Sequence, residues 1–394
     1  MFEITKIKKI YILSFLFTLH IALSAYVNST FLIKFIDEKF VGLIYTVASI
    51  LTIILLSQST NILRHLGNKR FILTLLIINM MALVGLIAGN NTYLVIASFI
   101  AFIITNSLIF LCLDIFIEHF GDPKTIGRTR GIFLFFVSLA WMISPLITSY
   151  LIRVDGYEAV YLLAFGATIL MTFGLLFSVR KFEDKIYKRT PFFETYKYLK
   201  TNHHMLSITI INFILQFFYA WMIVYTPIYL HQHIGLTWQQ TGIIFTMMLS
   251  PFVLFELPIG ILIDKYHVRK RTLLYIGVAI MGLSTLTISL IFSQSILIWG
   301  IILFATRTGA AMIEATSEIY FFTHIKEEDT HLLGVYRDMT HVAYIIAPLL
   351  ATLIFMFLPF QYLFLILGLL IFSGFYYIPR LKHNHEPILS NTNQ

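Results

Sequence analysis

Along the 394 residues, apolar stretches long enough to cross a bilayer alternate with short polar turns. A spanning helix needs roughly 20 predominantly apolar residues, because the hydrocarbon core is ~30 Å thick and each helical residue rises ~1.5 Å. Twelve segments meet that requirement: 10–33, 40–63, 71–88, 92–117, 131–152, 159–179, 205–230, 241–263, 272–292, 295–322, 333–358 and 360–379. The pattern predicts an all-α polytopic membrane protein. The fourth and tenth segments have the least defined ends, because Asp114, Glu118, Glu314 and Glu318 interrupt them. The longest polar stretch, RKFEDKIYKRTPFFETYKYLKTNHH at 180–204, separates the sixth segment from the seventh. It divides the chain into a first bundle at 1–180, a linker at 181–204, a second bundle at 205–380 and a tail at 381–394. The basic and aromatic mix of the linker fits a segment lying on an anionic membrane surface and fits a flexible connection equally well.

Composition narrows the class further. Apolar residues make up 58% of the chain and charged residues 12%, about half the charged share of soluble domains, so a soluble globular protein is excluded. A net charge of +8 would invite a nucleic-acid reading, but the basic residues are sorted by side of the membrane. Of the 28 lysines and arginines, only Lys34, Lys39 and Arg153 fall on one set of turns, and Arg307 and Arg337 lie within spans. The rest cluster before the first span, at 64–70, at 124–130, in the linker, at 265–271, at Lys326 and after the last span. Basic residues near helix ends stay on the cytoplasmic side. Both termini are therefore expected in the cytoplasm, with the chain in the cytoplasmic membrane and its first segment retained as a helix rather than removed as a signal peptide. The single cysteine, Cys112, sits in an apolar segment and rules out an internal disulfide.

The chain also matches itself. At an offset of 200 residues, Val41-Gly42-Leu43-Ile44-Tyr45-Thr46 falls on Thr241-Gly242-Ile243-Ile244-Phe245-Thr246, and Lys69 and Arg70 fall on Arg269 and Lys270. In the same register Asp114 meets Glu314 and Glu118 meets Glu318, so each half carries two carboxylates one helical turn apart. Gly131 and Pro145 then repeat as Gly334 and Pro348 at equal spacing. Two copies of a six-span unit in one orientation form the parallel repeat of a carrier.

The turn FELPIGILIDKYHVRKR at 255–271 adds a motif. Gly260, Leu262, Asp264, Lys265 and Arg269 follow most of the loop signature G-x-L-x-D-[RK]-x-G-[RK]-[RK], and in this the chain resembles the major facilitator superfamily. His267 stands where that family has glycine, and Val268 where it has a basic residue. The resemblance implies twelve transmembrane helices in two parallel six-helix bundles, a cavity lined by helices 1, 4, 7 and 10, and an Asp264 that caps a helix across the interface. Ser144-Pro145 and Ala347-Pro348 occupy the place of the family's Gly-Pro element without its flanking glycines.

Polar residues within the spans are the candidate chemistry. His20, Asn28, Asn106, Asn212, Gln216, Tyr219 and Arg307 fall on the four helices that the resemblance assigns to the cavity. Asn212, Gln216 and Tyr219 form one helical stripe, which serves a polar pocket or interhelical hydrogen bonding. Arg307, Glu314 and Glu318 share another face, and a buried arginine needs a partner or water. Arg307 is therefore expected to hold an anionic solute group or to be neutralised by Glu256 or Glu314. A cytoplasmic gate is expected from Asp114, Glu118, Arg130, Asp264, Arg269, Lys270, Glu314, Glu318 and Arg337, with asymmetry because Arg64 stands where the family's first-half Asp would be. Glu256, Glu314 and Asp114 are the carboxylates available for proton coupling if the site desolvates them.

No Walker-type phosphate loop, Cys/His metal cluster, nucleophile elbow or HExxH is present in the sequence. The expectation is a non-enzymatic secondary transporter without cofactor or metal. It would be a monomer in the bilayer, with a small-molecule solute and in one variant H+ as partners, working by rocker-switch alternating access. The alternatives are a lipid or drug translocator of the same fold, favoured by the 16% aromatic content, and a membrane-embedded enzyme or scaffold.

Overall fold

The computed structural model describes the backbone of residues 2–120, 126–178, 199, 201–324 and 331–382, and the side chains of 11–116, 135–178, 199, 201–324 and 335–382. Where described, the chain is helical. In hydrocarbon every backbone N–H and C=O must be bonded within the protein, and a helix achieves this within one segment. The first half comprises α1 Phe2–Ala25, α2 Val41–Leu66, α3 Asn68–Ile87, α4 Thr92–Phe120, α5 Ile126–Asp155 and α6 Tyr157–Ser178. The second comprises α7 His203–Ile228, α8 Trp238–Asp264, α9 Lys270–Ile288, α10 Ile296–His324, α11 His331–Phe357 and α12 Tyr362–Phe372. Among the described residues, eleven helices are long and apolar enough to span a membrane, and the described side chains of α1 form a shorter apolar helix, Tyr11–Ala25. The chain is thus a multi-pass membrane protein, and its spans lie within a few residues of those expected except at the first, expected at 10–33, where the helix runs Phe2–Ala25 and a turn at 26–27 separates it from a short helix, Asn28–Leu32. α4 and α10 run on past the acidic residues that blurred their ends in the sequence, because a helix can continue to the membrane surface.

The two halves pack alike. In the first, α1 lies on α5 and α6, α2 on α4, and α3 on α4 and α6. In the second, α7 lies on α11 and α12, α8 on α10, and α9 on α10 and α12. The halves meet along two seams, α2 with α11 and α5 with α8.

Local chemistry places the helix ends. Thr237 caps α8 through a reciprocal capping box with Gln240: the Gln240 amide donates to Thr237 Oγ1, and the Thr237 amide donates to Gln240 Oε1 at 2.8 Å. Between α2 and α3 the chain turns at Gly67 with φ 72°, and between α8 and α9 it turns at His267 with φ 51°. These positions coincide under the internal repeat, so both copies retain a left-handed turn. A non-glycine residue in that region costs about 1 kcal/mol or more. His267 is exposed, and no hydrogen bond or ion pair of its side chain with a described residue offsets this cost. His267→Gly is expected to stabilise the protein by about 1 kcal/mol, seen as a higher thermal-unfolding midpoint in detergent; an unchanged or lower midpoint would mean the turn is not strained.

Candidate functional site

The ends of the bundle that carry residues 64–70 and 265–271 are called the terminal face, and the opposite ends the far face. On the far face the seams are shut by two matched contacts. On α2, a Cβ added to Gly42 would lie 2.9 Å from Pro348 Cβ on α11, and closer still to the Tyr225 hydroxyl of α7. On α8, a Cβ added to Gly242 would lie 2.9 Å from the Pro145 carbonyl on α5, and closer still to Ser149 Oγ. Each glycine lets a helix backbone touch the proline-bearing helix of the other half. Around them Thr46 Oγ1 donates to the Ile345 carbonyl at 3.1 Å, and Thr352 Oγ1 donates to the Lys39 carbonyl at 3.0 Å. Tyr157 packs edge-on against Trp238, and His233 pairs with Glu38 at 3.2 Å.

Burial thins toward the terminal face. On α2 it is concentrated between Val41 and Thr52, with Ser59 and Leu63 beyond; on α8 between Thr241 and Pro251, with Ile259 and Ile263 beyond. There Arg337 of α11 reaches across to Asp114 of α4, its Nη1 donating to Oδ2 at 2.6 Å. The arginine side chain is 43% exposed, so solvent screens the pair and its contribution is small.

Most of the polar residues expected in a cavity bond to neighbouring helices. His20 of α1 donates from Nδ1 to the Phe17 carbonyl at 2.6 Å, and its Nε2 lies 3.1 Å from the amide of Asn106 on α4. Asn79 of α3, which the sequence reading did not single out, donates to the same Asn106 amide and to Thr105, both at 2.8 Å. Asn28 accepts from the Tyr161 hydroxyl of α6 at 3.0 Å. In the second half Asn212 Nδ2 donates to the Tyr336 carbonyl at 2.8 Å, and Gln216 Oε1 accepts from Thr340 at 3.1 Å, which ties α7 to α11.

Tyr219, Arg307 and Glu314 instead converge. Arg307, twelve residues into α10, is 1% exposed. Its Cζ stands over the rings of Phe218 at 4.8 Å and Tyr219 at 5.3 Å. None of Nε, Nη1 and Nη2 has a hydrogen-bond partner among the described residues. Two turns further along, Glu314 Oε2 accepts from the Tyr219 hydroxyl at 2.6 Å. Tyr26, in the turn just past α1, and Tyr344 of α11 lie within electrostatic reach of Arg307, so both halves contribute to the site. Tyr26 is held against Phe245 at 4.9 Å and Tyr344 against Tyr45 at 6.4 Å. Phe218, Tyr26 and Tyr344 carried no signal of their own in the sequence, since one more aromatic in an apolar span looks like packing. Glu256 of α8 is half-buried and within electrostatic reach of Glu314 and Glu318.

The remaining gate candidates are dispersed. Asp264 and Arg269 are exposed, and Asp264 makes no hydrogen bond or ion pair with a described residue. Lys270 donates to Thr323 Oγ1 at 3.0 Å. Glu318 is half-buried one turn beyond Glu314. The side chains of Glu118 and Arg130 lie outside the described residues. Among the described residues, no group of three His, Cys, Asp or Glu could hold a metal ion.

A family model described as Major Facilitator Superfamily matches residues 10–317 and 227–393. A search of curated proteins finds no match. Among solved structures, a bacterial homolog of the human lysosomal transporter Spinster, in an inward-facing and unoccupied conformation, superposes with a TM-score of 0.76 at 12% identity over 96% of this chain and 97% of that one. The nucleoside transporter NupG gives a TM-score of 0.74 at 13% identity over 96% of this chain and 100% of that one. An auto-inhibited peptide transporter of the POT family gives 0.77 at 10% identity over 97% and 99%. At such identities the likeness is one of fold.

Proposed function

The chain belongs to the Major Facilitator Superfamily, and from that premise we propose that it is a secondary transporter that moves a small solute across a membrane by opening one central site to the two faces in turn. The observation that carries this reading is the matched pair of far-face seals, Gly42 on Pro348 and Gly242 on Pro145. Both close at the same ends of the bundles, and in both a glycine backbone of one half meets the proline-bearing helix of the other, so that the halves can separate as rigid bodies. The bodies are residues 1–180 and 205–380, joined by 181–204 and followed by the tail at 381–394. The distribution of lysine and arginine supports a cytoplasmic terminal face. That the similar structures include transporters of nucleosides and of peptides supports a small solute without selecting one.

On this reading the Arg337–Asp114 pair is part of the cytoplasmic gate and breaks and re-forms in each cycle. Asp264, which makes no ion pair with a described residue, and the basic turns at 64–70 and 265–271 engage as the terminal face closes more tightly. Glu256, Glu314 and Asp114 are the carboxylates through which a proton would be coupled. Solute uptake into proteoliposomes that is indifferent to an imposed pH gradient would eliminate that part and leave facilitated diffusion or another ion.

The gate has its own test. With Cys112 replaced by alanine, Asp114→Cys and Arg337→Cys joined by a short bis-methanethiosulfonate cross-linker should stop transport in proteoliposomes, and reduction of its disulfides should restore it. Transport that continues with the cross-link intact would contradict the gating role.

A further inference from the structure

We propose that Arg307 is the anchor for an anionic group on the carried solute, and that the solute is an amphipathic organic anion whose flat apolar part lies against the tyrosines around it. This rests on the transporter reading and names the class of solute.

The first ground is an unpaired charge. A fully buried guanidinium whose three nitrogens make no hydrogen bond of good geometry with a described residue, with only the Tyr26 hydroxyl approaching it, is costly in a membrane interior, and its cation–π contacts return only about 0.5–2 kcal/mol each. The nearest acid on its own helix interacts with it only at a distance. Glu314 is seven residues away, ~10.5 Å of helical rise, makes no ion pair with Arg307 within 4.0 Å, and is taken by the Tyr219 hydroxyl. The second ground is geometry. The guanidinium carbon stands over the rings of Phe218 and Tyr219, contacts that use its charge and leave its N–H donors free of a hydrogen-bond acceptor among the described residues. A planar or forked oxyanion such as a carboxylate or phosphonate matches those donors with two parallel hydrogen bonds. The third is position. Tyr26 of the first half and Tyr344 of the second both lie within electrostatic reach of Arg307, so a group bound there lies near both moving bodies, as a carried solute must. Aromatic walls around one buried cation, with Glu314 turned to the Tyr219 hydroxyl, select a ligand with one anionic end and an apolar body.

The test uses the full-length protein in detergent and a set of small probes: benzoate, benzenesulfonate and phenylphosphonate, against the uncharged benzamide and benzyl alcohol. At millimolar concentration at least one anionic probe should raise the unfolding temperature saturably, and the neutral ones should not. In Arg307→Gln the apparent affinity should fall tenfold or more, and Arg307→Lys, which keeps charge without the fork, should fall in between. No stabilisation by any anionic probe, equal stabilisation by neutral probes, or unaltered affinity in Arg307→Gln would each overturn the proposal. Should Arg307→Gln fail to fold, the contrast between charged and uncharged probes on the unmodified protein still decides. Counterflow in proteoliposomes separates the two levels. A probe that binds through Arg307 yet never crosses defeats the transporter reading and leaves the site. Transport of a neutral solute untouched by saturating anion defeats the site and leaves the transporter.

Discussion

Gly42→Leu is expected to reduce transport at least tenfold and to leave the far face open. A Cβ at that position already falls 2.9 Å from Pro348 Cβ and 3.0 Å from its carbonyl oxygen, so an isobutyl group cannot enter while α2 and α11 are in contact. Overpacking of this kind costs about 1–3 kcal/mol when the structure can yield, and here the yielding movement is separation of the two halves. Since 1.4 kcal/mol is a factor of ten in an equilibrium, the far-closed state becomes a minor one and the cycle stalls in the opposite state. Gly242→Leu, facing the Pro145 carbonyl at 2.9 Å, should act the same way, because the two seams are copies. Gly166→Ala on α6, where nothing lies within 4 Å, should leave transport unchanged. The check is transport in proteoliposomes together with labelling of a cysteine placed at Thr46 by an impermeant reagent added from the far side. Normal transport and no gain in labelling would remove the seal from the mechanism.

Arg307→Met should make the protein more stable while it loses solute binding. Replacing a buried ion pair by apolar side chains of similar volume is often neutral or stabilising by about 1–4 kcal/mol, and the same direction is expected for Arg307, which makes no ion pair and no hydrogen bond of good geometry with a described residue. An arginine kept only for packing would give the opposite result. The expected outcome is a thermal midpoint several degrees higher, a saving forgone in the natural chain because the charge is needed. A midpoint that falls would show that Arg307 is structurally paired in the membrane.

Much of the architecture can be read from the chain because the bilayer imposes it. Segment length gives the spans, the asymmetry of lysine and arginine supports a side, and the internal repeat, which sets Gly42 on Gly242 and, three residues further out of register, Pro145 on Pro348, identifies contacts that later meet in pairs. The candidate site is harder to read. A spanning helix is apolar toward lipid and apolar toward its neighbours, so hydrophobicity does not say which face looks inward. His20, Asn106 and Asn212 read as cavity residues for that reason, whereas each is bonded to an adjacent helix. Asn79, which completes the His20 network, and Tyr26 and Tyr344, which approach Arg307 from two halves, become recognisable only when helix rotation is fixed. Asp114 and Arg337 were both expected at the gate, but their pairing needs the register between α4 and α11, and no local rule supplies it.

The central claim is that the two faces open in alternation. Pulsed electron–electron distance measurements on spin-labelled protein in proteoliposomes address it, with one label pair at Lys39 and Gln232 on the far face and another at His65 and Lys265 on the terminal face. Across apo, solute-saturated and acidified samples, the account predicts that populations with a long far-face distance have a short terminal-face distance, and the reverse. Distances that stay fixed under every condition, or that lengthen on both faces together, would contradict it.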